Sequence, residues 1–141
     1  MLERVGSALE RISLKVVDMK ERTLPSYAFD SSRGQFDASA LLVEAQNPGL
    51  FLWIVDKDIY VEGMNFVFGL ADRLQGAILS VYRLPSQEII EKEAIHEMGH
   101  VLGLRHCDNY CVMRFSNSLR EVMEKPSCFC EKCRHLIHNK L

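Results

Sequence analysis

Apolar residues at Leu2, Val5, Leu9 and Ile12 recur at the spacing of one helix face. From Ile12 to Val17 the period changes to two, with Ile12, Leu14 and Val16 on one side, which predicts a strand. Thr23–Gly34 carries Pro25 and a Ser-Ser-Arg-Gly run and reads as loop. Ala38–Gln46 is helical in pattern, with Asp37 placed to cap it and Asn47-Pro48-Gly49 to end it. Phe51–Val55 is an unbroken apolar run between turn residues and predicts a central strand. Asn65–Phe68 and Gly76–Tyr82 are shorter strand candidates. A long helix opens at Pro85-Ser86, with Ser86 as N-cap and Glu88 in its first turn, and runs to about Leu102, where Gly103 stops it. Beyond that the pattern is mostly irregular, with a short helix around Asn117–Glu124. This order of elements predicts an α+β fold, a mixed twisted sheet on two or three helices.

The 141 residues suit a single domain, with 1–105 forming the sheet and long helix and 106–141 an irregular C-terminal segment. A 48 % apolar composition is enough for a core, so disorder is not expected. The net charge of -2 gives no footprint for nucleic acid or for an anionic membrane surface. No apolar run reaches the roughly twenty residues that cross a bilayer. Charges interrupt the N-terminal MLERVGSALE before a secretory signal could form, so a cytoplasmic monomer is expected.

The chemistry concentrates in His96-Glu97-Met98-Gly99-His100, inside the long helix. Spacing of four places both imidazoles on one face, one turn apart, as a single divalent ion requires. Glu97 is rotated by about 100° from its neighbour, because the helix has 3.6 residues per turn. It is poorly placed to join the ligands and well placed to act as a general base on water. Gly103 permits a sharp exit, which can bring His106 back as a third ligand and leave a zinc with one open position. A rival third ligand, Glu121 or Glu124, would leave Gly103 and His106 without a role.

All five cysteines fall in the last quarter of the chain. Cys107 and Cys111 form one close pair, and Cys130 and Cys133 another, the layout of a closed four-thiolate zinc site. Such a site is structural and stabilises a segment with little apolar periodicity of its own. Because Cys107 follows His106, it would also hold the third histidine in place. Cys128 is left over, read as a free thiol, and His135 and His138 are read as exposed helix residues.

His96 through Cys133 resembles the archaemetzincin signature HExxHxxGx3Cx4CxMx17CxxC. The matching residues are His96, Glu97, His100, Gly103, Cys107, Cys111, Met113, Cys130 and Cys133, with His106 at the third-ligand position. Asp58-Ile59-Tyr60-Val61, Asn65-Phe66-Val67-Phe68-Gly69 and Phe115-Ser116-Asn117-Ser118-Leu119 are also similar to that family. The first cysteine pair here encloses three residues instead of four, and sixteen instead of seventeen separate Met113 from Cys130. The resemblance implies a metzincin-like domain with two zinc ions, a catalytic one on His96, His100 and His106 and a structural one on the four cysteines. It also implies peptidase activity on peptides or proteins, Met113 as the Met-turn beneath the histidines, and Asn65–Gly69 as the edge along which substrate lies. The residue after the third histidine is Cys107 and not aspartate, and Phe115 offers no oxygen to a metal.

Two other classes stand beside this. A zinc-stabilised protein- or peptide-binding module would carry the same ligands with little turnover. A nucleic-acid-binding zinc module is suggested only by the paired cysteines and is opposed by the charge. Tyr110, Arg114 and Asn117 are candidate oxyanion donors by proximity alone.

Overall fold

A computed structural model describes residues 1–139. Helix α1 (Leu2–Glu10) is followed by an irregular segment, a short 3-10 turn (Ser26–Ala28) and strands β1 (Phe29–Asp30) and β2 (Gln35–Asp37). Next come α2 (Ala38–Glu44), β3 (Phe51–Val55), β4 (Ile59–Tyr60), β5 (Gly69–Asp72) and β6 (Gly76–Ser80). The long helix α3 (Gln87–Val101), α4 (Leu119–Glu124) and α5 (Glu131–His138) complete the described chain. The α+β class holds. The single mixed sheet divides into two of three strands each, ordered β1-β2-β4 and β3-β6-β5, and α1 to α5 exceed the two or three helices expected. No helix among the described residues is long and apolar enough to cross a membrane.

Local chemistry accounts for the helix starts. The Asp37 carboxylate accepts from the Ser39 and Ala40 amides at the start of α2. Ser86 and Ser118 do the same for Ile89 and Glu121 at the starts of α3 and α4. Gly103, at φ 100°, ends the long helix as expected, in a region that a residue with a Cβ avoids.

Three strand expectations change. Phe51–Val55 is a strand, but β6 is the centre of its sheet and β3 an edge; only Val55 of β3 is buried, whereas β6 is buried throughout. Ile12–Val17 forms no ladder, although Ile12, Leu14 and Val16 do pack together on the main core. Alternation placed their side chains correctly, but a strand also needs a partner for its backbone. Asn65–Phe68 makes only an isolated bridge, Val67 to Ile59, and the ladder begins at Gly69. Within the Thr23–Gly34 loop, Phe29–Asp30 pairs with β2.

The central strand explains the layering. Ala77 and Leu79 face the cluster that contains α1 and α3, and Ile78 faces the one that contains α2. The first cluster continues through Cys107, Met113, Val122 and Phe129 to Ile137, so the C-terminal segment packs on the same core as α3. Eleven of the fifteen residues of α3 are buried, among them Lys92, Glu93, His96 and Glu97, so its polar groups must find partners inside the protein.

Asp58 ties the first sheet to the chain before α3. It accepts two hydrogen bonds from Arg83, at 2.8 and 2.7 Å, and one from Gln35 at 2.9 Å. Burial alone would raise its pKa, but Arg83 and Gln35 outweigh it and hold the carboxyl below its ordinary value. Its stabilisation is therefore present above the ordinary carboxylate range and fades as pH falls through its lowered folded value. Asp58→Ala should cost about 1–3 kcal/mol in urea unfolding near neutral pH, towards the lower end because Arg83 is partly exposed. The difference from the parent should shrink well below about pH 4. An equal cost at both pH values would rule out the ionised carboxylate as its source.

Candidate functional site

α3 carries the three central groups on its buried side, and the glycine exit adds a fourth. The amides of Gly103 and Leu104 return to the carbonyls of His100 and Gly99, which folds the chain back at once. His106 then stands over the helix, its ring centroid 4.7 Å from that of His100 and 5.6 Å from that of His96. One nitrogen from each of His96, His100 and His106 lies within 4.8 Å of the others. Phe115 packs edge-on against His106 at 5.1 Å and offers the ring only an apolar wall.

The protons on these rings follow from their neighbours. His96 Nδ1 lies 2.7 Å from the Val112 carbonyl and His100 Nδ1 2.8 Å from the Leu104 carbonyl. A carbonyl only accepts, so each Nδ1 carries its hydrogen. Burial, then the ammonium of Lys125 and the His100 ring, push His96 well below the ordinary imidazole value. Burial also lowers His100, against the pull of Leu104, and lowers His106, aided by Lys125. Neutral rings with hydrogen on Nδ1 leave bare lone pairs on Nε2, and those of His96 and His100 stand 3.2 Å apart. Two lone pairs that close repel unless a cation lies with them. The donor set therefore fits a nitrogen-preferring divalent ion, and zinc above all.

Glu97 is buried, although it lines the cleft in front of the histidines. Burial and the neighbouring carboxylate of Glu93 raise it to about 8, against the opposing pull of Lys125. It lies against Gly69 at the start of β5, where an added Cβ would be 2.6 Å from Glu97 Oε2 and 2.8 Å from the Ile78 carbonyl. Met113 is fully buried against Gly99 and Phe129, and a side chain at Gly99 would collide with its sulfur. It thus packs on bare helix backbone between the two histidine positions, where a Met-turn was expected.

The cleft, of about 540 Å³, runs between β5 and α3. Phe66, Val67, Gly69, Leu70 and Ala71 line one side, and His106, Phe115 and Asn117 the other. The open edge is thus β5, Gly69–Asp72, with Asn65–Phe68 leading into it rather than forming it. Of the three oxyanion candidates only Asn117 reaches the cleft; Tyr110 is exposed elsewhere and Arg114 donates to the Asp108 carbonyl. Glu121 accepts at the start of α4 and Glu124 pairs with Arg120, so neither joins the histidines.

The sulfurs of Cys107, Cys111, Cys130 and Cys133 also lie within 4.8 Å of one another. Cys111 accepts from the amides of Met113 and Cys130, and Cys130 from the amide of Cys133, the polarity that thiolates need. Burial pushes Cys130 up, but the Cys133 amide and the Asn109 side chain outweigh it and bring it down to about 6. Burial and neighbouring sulfurs push Cys133 up. Four crowded sulfurs, two of them accepting from backbone amides, fit a closed cation site. Cys128 is exposed and outside the group, and His135 and His138 lie exposed on α5.

Sequence reasoning missed a buried ion pair behind the histidines. Lys125 Nζ lies 2.9 Å from Glu93 Oε2, with both side chains almost wholly enclosed. Glu93 sits one turn before Glu97 on the inward face of α3, and a charge at that position was the available signal. Its partner lies thirty-two residues further on (125 against 93) and left no local mark.

Residues 47–139 match the model of Peptidase family M54. The chain is 53 % identical over 127 residues to the archaemetzincin of Nanoarchaeum equitans, covering 87 % of this chain and 75 % of that one. Among solved structures, the archaemetzincin of Archaeoglobus fulgidus complexed with malonate superposes with a TM-score of 0.89 at 38 % identity, covering 99 % of this chain and 91 % of that one. The archaemetzincin of Methanopyrus kandleri gives 0.90 at 36 %, covering 99 % and 87 %. With that fold around its histidine and cysteine clusters, the chain belongs to the archaemetzincins, peptidase family M54, and is a zinc metallopeptidase.

Proposed function

We propose that this chain hydrolyses peptide bonds at one catalytic zinc held by His96, His100 and His106, with Glu97 as general base. A second, structural zinc is held by Cys107, Cys111, Cys130 and Cys133. The observation that carries the reading is the pair of bare Nε2 atoms 3.2 Å apart beside a buried carboxyl. The chemistry zinc supplies when bound is Lewis acidity, which acidifies water and polarises a peptide carbonyl.

The chain's own residues do the rest. Val112 and Leu104 fix the tautomers and ring planes of His96 and His100. Glu97 removes a proton from the attacking water and returns it to the leaving amine. Burial and Glu93 raise its proton affinity in the metal-free chain, the direction that favours holding a proton in transit. An extended peptide pairs with the open edge of β5, and Gly69 lets its scissile bond approach Glu97 without a side chain in the way. Asn117 is the remaining side-chain donor for the developing oxyanion. The main core, which runs from Val5 to Ile137, supports treating the chain as one domain, with the described part of the C-terminal segment, 106–139, folded onto the sheet and α3.

Three outcomes follow. Glu97→Gln should keep zinc and lose about 10²–10⁴-fold in kcat on a peptide library, whereas His100→Ala should lose the catalytic zinc. Cleavage at the parent rate by Glu97→Gln would end its role as base; no cleavage by the parent with both metals bound would favour the binding-module reading. Gly69→Ala should displace the Glu97 carboxylate and lower kcat at least about tenfold, with zinc content unchanged. Unchanged turnover would show that the carboxylate has room to spare. Cys133→Ser should remove one zinc per chain and lower the thermal midpoint by several degrees; a parent-like midpoint and two zincs would refute the structural site.

A further inference from the structure

Lys125 is gripped by two successive residues of α3. The Lys92 ammonium donates to the Lys125 carbonyl at 2.7 Å, and also to the Val122 carbonyl at 3.0 Å at the end of α4. Glu93 holds the other end, its Oε2 2.9 Å from Lys125 Nζ, with side-chain exposures of 3 % for Glu93 and 0 % for Lys125. The contact is ionic more than a well-aligned hydrogen bond. From there the Lys125 ammonium donates to the Arg114 carbonyl at 3.2 Å and lies 3.2 Å from His96 Nδ1. Because that Nδ1 already donates to Val112, the ammonium touches the ring without bonding to it and limits its rotation.

A buried ion pair is poor value as a source of stability. Enclosing both charges costs about as much as their attraction returns, and a well-packed apolar pair of similar size often does as well. What this pair does supply is geometry. One fixed cation joins α3, the ring of His96 and the Met113–Phe115 turn, which floors the histidines and walls His106.

We propose that Lys125, held by Glu93, is a positioning residue of the histidine site, setting the His96 ring and the Met113–Phe115 turn for metal and touching neither metal nor substrate. This rests on the reading that the three histidines hold the catalytic zinc.

The deciding variant is Glu93→Leu/Lys125→Met, which removes both charges and leaves none stranded. Metal affinity at each site is read by cobalt titration with chelator competition, because only the thiolate site gives sulfur-to-cobalt charge-transfer bands. The double variant should fold, with a thermal midpoint within about 5 °C of the parent. It should keep the thiolate metal and bind the histidine metal about 10–100-fold more weakly, with a lower kcat and an unchanged KM. Glu93→Gln keeps an acceptor of the same size for Lys125 and should hold histidine-site affinity within about threefold of the parent. Parent-like affinity and kcat in the double variant would overturn the proposal. If the double variant does not fold, Glu93→Gln/Lys125→Met decides in its place: loss of about tenfold or more at the histidine site upholds the proposal, and parent-like affinity and kcat overturn it. A parent chain that binds metal only at the thiolates would sink the underlying histidine-site reading, and is recognised by the parent itself failing.

Discussion

The constraint on which this molecule depends is that its longest helix is buried on nearly every side while carrying four ionisable groups inward. Lys92, Glu93, His96 and Glu97 lie within six consecutive positions of α3, and all four are buried. Each must be met from within. Lys92 meets the carbonyls of Val122 and Lys125, Glu93 meets Lys125, and His96 meets Val112. Every one of these partners belongs to the segment after Gly103. The C-terminal quarter is thus fitted to the needs of α3, while Glu97 lines the cleft together with Glu93 and His96.

The same segment links the two clusters of metal-binding side chains. His106 and Cys107 are adjacent, and the Cys107 amide donates to the carbonyl of Met113 at 3.1 Å. The Val112 amide is held by the Cys128 carbonyl at 2.9 Å, while its carbonyl fixes His96. One tight turn, closed by the Arg114 amide on the Cys111 carbonyl at 3.0 Å, therefore serves the thiol cluster on one side and the histidines on the other. The two clusters are therefore joined through main-chain hydrogen bonds at Val112 and Met113.

Much of this was legible because it is local. The histidine spacing, Ser86 as cap and Gly103 as exit depend on residues a few positions apart, and all three are where the pattern placed them. The paired cysteines also converge, since short spacings bring each pair together before the pairs meet. What failed was nonlocal. Phe51–Val55 looks central because it is wholly apolar, yet whether a strand is central depends on what pairs with it, and Gly76–Ser80 took that place. Ile12–Val17 had the right face and no partner strand. Lys125 follows an exposed, charged helix and precedes Pro126, so nothing near it announces a buried cation. Polar residues that join distant segments leave little trace in the periodicity of either one.

The cleft wall opposite α3 is fastened from behind. Arg33 donates to the carbonyls of Met64 and Asn65 and lies 3.9 Å above the Tyr60 ring. Gln35 donates to the Asn65 carbonyl as well, and Arg83 stacks on Phe66 at 3.9 Å. The stretch from Met64 to Phe66 is consequently set before any peptide arrives, and little entropy remains to be lost there on binding. Evolution has a narrow choice in such a wall. Its side chains can be exchanged one at a time, but its length is committed, because a residue added or removed would pull two arginines and a glutamine off their marks together.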